Sequence, residues 1–199
     1  MKSPAAKNNA ANLLPYGGDM RLLSPFIPAR EADAYFTALM DELNWQEETL
    51  MMFGQPRKVP RLIAWHGDAS YKYSGVMHTP APWTPTLKKL KQLVEDACGA
   101  NFNSVLGNLY RTGQDGMGYH ADDEPELSPT IASLSFGAER IFRIKPKRGG
   151  ASFGVALPHG SILMMGGDMQ KNWLHSLPKT AKPISPRINL TFRHINETI

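Results

Sequence analysis

The chain has 199 residues, 42% of them hydrophobic, with 22 basic side chains against 18 acidic ones and a formal net charge of +4. This balance supports one globular domain with a proper core, excludes a disordered chain, and leans toward an anionic partner. Cys98 is the only cysteine, which excludes an intrachain disulfide and fits a reducing compartment.

The opening MKSPAAKNNAANLLPYGG has no apolar core of the signal-peptide kind, and no segment approaches the roughly 18 apolar residues of a membrane span. Residues 1–20 are expected to be a flexible tail and 21–199 a single domain, monomeric, without an evident protein partner. The expected location is a bacterial cytoplasm, or the nucleus if the source is eukaryotic. From Pro28 to Asn44 the pattern is helical, with Ala32, Phe36, Leu39 and Leu43 on one face. MMFGQPRKVPR reads as a hairpin turning near Gly54-Gln55-Pro56, and SYKYSGVMH as an alternating strand. A second helix has Thr84 as its cap, Pro85 in its first turn and Gly99 at its end.

Beyond Asn103 the character becomes β. Candidate strands are Ser104–Arg111, Thr130–Phe136, Arg140–Lys145, Ser152–Leu157, Ser161–Gly166 and Arg187–His194. Short, turn-punctuated strands of this kind suggest a sandwich or barrel, so the expected class is α+β with a mainly β core. Met164, Met165 and Met169 read as core packing.

The stretch GYHADDEPEL holds one histidine and four acids, which repel one another unless a cation sits among them. The spacing of His120 and Asp122 places two ligands on one side of an extended strand. Two histidines and one carboxylate with open positions indicate non-haem Fe(II), so a second histidine is needed. The candidates are His66, His78, His159, His175 and His194; His175 sits in an apolar strand, NWLHSLPK. In the last strand Ile188, Leu190 and Phe192 take one face, and Arg187, Asn189, Thr191 and Arg193 the other. Two arginines so spaced, leaning toward each other, leave a gap suited to a short dicarboxylate, and arginine grips carboxylates with paired hydrogen bonds. Asn108 and Tyr110 likewise share a face, opposite Val105 and Leu109.

Taken in order, Asn108-x-Tyr110, His120-x-Asp122, His175 and Arg187-x5-Arg193 resemble the AlkB family of Fe(II)/2-oxoglutarate dioxygenases. The longer run from GYHADDEPEL through SLSFGAERIFRIK to PRINLTFR is most similar to its DNA-repair branch. The resemblance implies a double-stranded β-helix, or jelly roll, with N-terminal supporting helices and a nucleotide-recognition hairpin region at about 46–80. It implies Fe(II) held by His120, Asp122 and His175. Its 2-oxoglutarate would be held by Arg187 at one end and by Arg193, Asn108 and Tyr110 at the other, with Asn189 and Thr191 on the same face. With O2 as the other cosubstrate, an N-methyl group would be hydroxylated and lost as formaldehyde, leaving succinate and CO2.

For the flipped base, the resemblance implies a pocket of Tyr71, Tyr73, Ser74 and Glu124, with Asp123 pairing with an arginine near the iron. Met52 and Phe53 at the hairpin tip would wedge into the gap a flipped base leaves. Arg57, Lys58, Arg61, Arg140, Arg143 and Lys145 would meet phosphates. The expected substrate is alkylated DNA of the 1-methyladenine and 3-methylcytosine type. The alternatives are RNA or protein as substrate of the same chemistry, and a jelly-roll module that binds nucleic acid without catalysis, which would need a broken ligand set.

Overall fold

The computed structural model of the protein describes residues 10–52, 54–68, 71–73, 76–78 and 80–196, with the backbone alone at residues 50, 52, 71–73 and 76–78. Its elements run β1 (Asp19–Leu23), α1 (Ala29–Glu42), β2 (Gln46–Met52), β3 (Gln55–Gly67), β4 (Tyr71–Tyr73), β5 (Val76–His78) and α2 (Pro85–Cys98). There follow β6 (Ser104–Tyr110), β7 (Met117–His120), β8 (Ile131–Gly137), β9 (Arg140–Pro146), β10 (Phe153–Leu157), β11 (Ser161–Gly166), α3 (Met169–Asn172), β12 (Trp173–Leu177) and β13 (Arg187–Arg193). Seven strands form a large sheet in the order β1-β11-β8-β13-β6-β3-β2, and four form a small one, β10-β9-β12-β7. Every pairing between these strands is antiparallel. Two facing antiparallel sheets make the jelly-roll sandwich.

The helices form where the sequence marks them. Thr84 accepts a hydrogen bond from the Leu87 N–H at 3.2 Å, Pro85 opens the first turn, and Gly99 ends α2 at φ 63°. Losing such a cap costs about 1 kcal/mol. Leu39 of α1 and Leu87, Leu90 and Val94 of α2 bury against one face of the large sheet, where they meet Ile188, Leu190, Phe192, Leu134, Phe136, Val105 and Leu109. A second core lies between the sheets, where Ile131, Leu163 and Met165 meet Ile144, Leu157 and Trp173. The large sheet is therefore covered on both faces. Beside that second core the inner face carries Ser133, Ser135, Asn108, Asn189, Thr191 and Arg187, all buried. Polar side chains in such a place need partners or a ligand, and this is where the site lies.

Several expectations change. Residues 10–20 are held against the fold and do not belong to a free tail. Asn12 Oδ1 accepts from the N–H groups of Leu14 (3.0 Å) and Met20 (2.9 Å), Leu14 and Met20 are buried, and β1 pairs with β11. The apolar side chains in this segment fill the second core; residues 1–9 lie outside the described residues. SYKYSGVMH makes two short strands, β4 and β5, paired antiparallel instead of one. The helix α3 and the strand β1 were not expected. Among the described residues no helix is long and apolar enough to cross a membrane.

Candidate active site

The strand β7 ends at His120, and its antiparallel neighbour β12 sets His175 directly opposite. The two imidazole centroids lie 4.2 Å apart at 69°. Asp122, just beyond the end of β7, brings Oδ1 to 3.7 Å from His120 Nε2. One ligand atom from each of the three residues lies within 4.8 Å of the others, and this group could hold a metal ion. His120 Nδ1 sits 2.9 Å from the Gly118 carbonyl oxygen, so that nitrogen carries the proton and Nε2 keeps a free lone pair. His175 stacks on Phe142 at 5.1 Å, and its Nδ1 is buried without a hydrogen-bond partner.

The electrostatics suit a cation. Burial, reinforced by His120, holds the His175 imidazolium off until about pH 3, and burial also lowers the pKa of His120. Burial alone would raise the Asp122 carboxyl, but Arg193, then His175 and His120, outweigh it and hold it at about 2. Arg193 Nη2 donates to Asp122 Oδ2 at 2.7 Å. The group is thus two neutral imidazoles beside one ionised carboxylate, the donor set of a facial Fe(II) site. The orphaned nitrogen and the desolvated rings fit a metal here.

Two cavities meet at this group. One is lined by Asn108, Tyr110, Ser133, His175, Arg187, Asn189 and Thr191. The other is lined by Glu48, Arg61, Ile63, Trp65, Glu124 and Leu127. Both are also lined by Leu106, Met117, His120, Asp122 and Arg193. In the first, Arg187 is 2% exposed, donates to Ser135 Oγ at 2.9 Å and leaves its Nε unpaired. Its guanidinium lies 5.6 Å from the Tyr110 ring centroid. Burial lowers its pKa to about 10, so it stays charged at neutral pH. A buried, underpaired guanidinium fits the carboxylate of a small anion. Asn189 donates to Ser133 Oγ at 2.7 Å and accepts from Thr191 Oγ1 at 3.0 Å, which fixes the polar floor.

The second cavity brings in residues that sequence reasoning missed. Glu48, Ile63 and Trp65 of β2 and β3 line it, with the Trp65 indole donating to Ser104 Oγ at 2.8 Å. Alternation along β3 could not have found Ile63 and Trp65, because Leu62 and Ala64 make its other face equally apolar. Glu124 lines the same cavity, and its pKa is raised, first by burial and then by Asp122 and Asp123.

Other assignments need correction. Arg61 is not a phosphate contact: it is buried, and its Nε donates to Asn108 Oδ1 at 2.6 Å. Arg140 is buried too, donating to the carbonyls of Pro178 at 2.7 Å and Asp115 at 3.0 Å. Asp123 does not pair with an arginine; it meets Lys147 at 2.7 Å on the surface, while Asp122 takes Arg193. Arg57, Lys58 and Arg143 are exposed, Lys58 pairing with Glu47 at 2.6 Å, and Lys145 lies over the Tyr119 ring at 4.5 Å. Tyr71 and Tyr73 are placed in β4 and Met52 at the end of β2 by backbone alone; Ser74 and Phe53 lie outside the described residues. Beside Met52 on the hairpin, Met51 is 70% exposed.

Comparison with known proteins agrees with this geometry. The profile of the 2OG-Fe(II) oxygenase superfamily matches residues 19–193. The chain is 40% identical over 182 residues to alpha-ketoglutarate-dependent dioxygenase alkB homolog 3 of Bos taurus, covering 85% of this chain and 64% of that protein. It is 43% identical over 183 residues to DNA oxidative demethylase ALKBH2 of Mus musculus, covering 84% and 77%. In fold it is similar to the solved structure of OsALKBH1, with a TM-score of 0.68 at 18% identity, covering 92% of this chain and 99% of that one. The chain thus spans about two thirds to three quarters of the length of these two curated relatives.

Proposed function

The chain belongs to the 2OG-Fe(II) oxygenase superfamily and, within it, to the AlkB family, and from that premise we propose that it oxidatively demethylates N-alkylated bases in DNA. The observation that carries this reading is the meeting of two unlike cavities at one His-Asp-His group, one ending on a buried arginine and the other lined by acids and an indole.

His120, Asp122 and His175 would hold Fe(II), which when bound supplies oxidation of a C–H bond at the expense of O2 and 2-oxoglutarate. Arg187 takes the distal carboxylate of the cosubstrate, with Tyr110 against its guanidinium. Arg193, Asn108, Asn189 and Thr191 line the polar walls of the same cavity and would hold the other end of the cosubstrate. Arg193 also holds the Asp122 carboxylate and keeps it ionised. The apolar walls from Leu106, Met117, Phe142 and Leu157 exclude water.

A base methylated at N1 of adenine or N3 of cytosine is cationic, pairs poorly and leaves the stack easily. Glu48 and Glu124 supply the negative charge that favours such a ring, and Trp65 supplies an aromatic wall. Asp122 is committed to Arg193 and the metal, and Arg61 to Asn108, which leaves the two glutamates for the base. Tyr71, Tyr73 and Ser74 are assigned to the same base from their place in the sequence alone. Once the methyl is hydroxylated, the N–CH2OH group loses formaldehyde and a proton, leaving the neutral, unmodified base in the strand. The strand carrying the base crosses the outer face of the small sheet, where Arg143, Lys145 and the exposed Tyr119 offer phosphate contacts and a stacking ring. Met52 and Phe53, next to the hairpin turn in sequence, are the residues assigned to the gap that the base would leave.

Formaldehyde release is the test, measured side by side on 1-methyladenine and 3-methylcytosine in single-stranded DNA, duplex DNA and RNA. The expected result is release from DNA that requires Fe(II) and 2-oxoglutarate. Release confined to RNA would replace the DNA reading. No release and no 2-oxoglutarate turnover from any of them would end the enzyme reading.

A further inference from the structure

Asp122 lies beyond the end of β7, so no ladder hydrogen bond of that strand holds its backbone. Its N–H donates instead to Gln170 Oε1 at 3.0 Å. Since the Asp122 N–H is a donor, the end of the amide facing it must be oxygen. The other end, Nε2, is thereby turned to Met165 Sδ at 3.7 Å, a residue that lines the cosubstrate cavity. Gln170 is buried, so an alternative partner from water is not at hand.

Gln170 belongs to α3, a single turn too short to stand alone. The N-terminal segment clasps it. Asn172 Nδ2 donates to the Gly17 carbonyl at 3.1 Å, and the Trp173 indole to the Tyr16 carbonyl at 3.1 Å, with the Tyr16 and Trp173 rings 4.9 Å apart. Gly18 passes so close that a Cβ there would lie 2.7 Å from Met169 Cα. The support therefore runs from the segment Tyr16–Gly18 to α3, from α3 to Gln170, and from Gln170 to the backbone of Asp122.

We propose that Gln170 is a positioning residue for the metal centre, holding the Asp122 backbone so that its carboxylate faces His120 and His175. This rests on the reading of His120, Asp122 and His175 as metal ligands and deepens it. Groups that orient metal ligands change metal affinity by about 10- to 100-fold when removed.

Co(II) serves as the probe, read by its visible absorption on the metal-free full chain. Gln170→Leu removes the acceptor at similar size, Gln170→Glu keeps it, and Lys171→Ala alters only the exposed side of the same turn. The expected result is Co(II) affinity about 10- to 100-fold weaker in Gln170→Leu with an altered absorption band. Gln170→Glu and Lys171→Ala should stay within about three-fold of the unaltered chain. In turnover, Gln170→Leu should lower kcat while KM for the methylated strand changes little. Unchanged affinity and band in a folded Gln170→Leu would overturn the proposal, and so would Gln170→Glu binding as weakly as Gln170→Leu. If Gln170→Leu does not fold, Gln170→Glu decides: near-native affinity sustains the proposal, and a ten-fold loss sinks it. Failure of the unaltered chain to bind Co(II) would instead remove the metal reading itself.

Discussion

At the scale of single residues, Arg187 shows why a binding site is an unstable place in an empty protein. Its guanidinium is fully charged, 2% exposed, and has Ser135 Oγ as its hydrogen-bond partner among the described residues. Burying a charge without an opposite charge is unfavourable, and replacing it by an apolar side chain of similar length is often neutral or stabilising. Arg187→Met should therefore keep or raise the thermal midpoint of the metal-free protein while destroying cosubstrate binding. Removing one partner of a buried charge pair is worth about 2–5 kcal/mol, so 2-oxoglutarate affinity should fall at least about 30-fold. An unreactive analogue of 2-oxoglutarate, added with Mn(II), should raise the melting point of the unaltered protein and leave that of Arg187→Met in place. Saturation of the variant at the same 2-oxoglutarate concentration would show that the cosubstrate carboxylate lies elsewhere. Arg187 was legible in the sequence because β13 is apolar on its other face; a strand with both faces buried and two arginines on one has few explanations besides an anion.

At the scale of elements, β9 carries the opposite lesson. RIFRIKP holds Arg140, Arg143 and Lys145, and a run of positive charge reads as one surface. The pleat divides it. Arg140 shares its face with Phe142, Ile144 and Pro146, whereas Arg143 and Lys145 turn outward. Parity alone would have separated them, since Phe142 and Ile144 mark the inner face. On β3 parity gives no such help: Arg61 shares a face with Ile63 and Trp65, but Leu62 and Ala64 make the other face equally apolar. There only the pairing of β3 with β6, which sets Ile63 beside Asn108, decides that Arg61 points to the cavity. The two arginines of β9 should accordingly respond differently. Arg140→Ala takes the guanidinium from the Pro178 carbonyl and leaves that of buried Asp115 unpaired, and should destabilise by roughly 2–4 kcal/mol in urea. Arg143→Ala should change stability by less than about 0.5 kcal/mol, weaken DNA binding, and reduce the log–log salt slope by about 1. A salt slope unchanged in Arg143→Ala would take the outer face of the small sheet out of the nucleic-acid path.

At the scale of the whole molecule, the acidic stretch after β7 resolves into separate tasks, and long-range pairing is what separates them. Asp122 answers to Arg193 from β13 and to Gln170 from α3, Asp123 to Lys147 after β9, and Glu124 to the cavity. None of these partners is near in sequence, which is why the His-x-Asp motif was readable while the support behind it was not. The same assembly keeps two imidazoles neutral, His175 buried and His120 half-buried, and this has a consequence for the metal-free protein in acid. An unfolded histidine protonates near pH 6.5, whereas burial and the neighbouring His120 keep folded His175 neutral to about 3. Between those values the unfolded state binds more protons, so stability falls as pH falls, by up to about 1.4 kcal/mol per pH unit for each such histidine. His120, lowered chiefly by burial, adds to the same slope. Asp122 acts in the same direction but later: held at about 2, it contributes stability that is complete above its ordinary carboxyl range and is lost as pH falls from there through about 2. Glu124 opposes them, since its raised pKa favours the folded state only once it is protonated. Urea midpoints of the metal-free chain should therefore drop steadily from about pH 7 to about pH 4, and His175→Asn, which has no proton to gain, should flatten the slope. An unaltered protein with a flat profile over that interval would mean that His175 is not held neutral by burial, and a ready-made metal site would then lose its electrostatic basis.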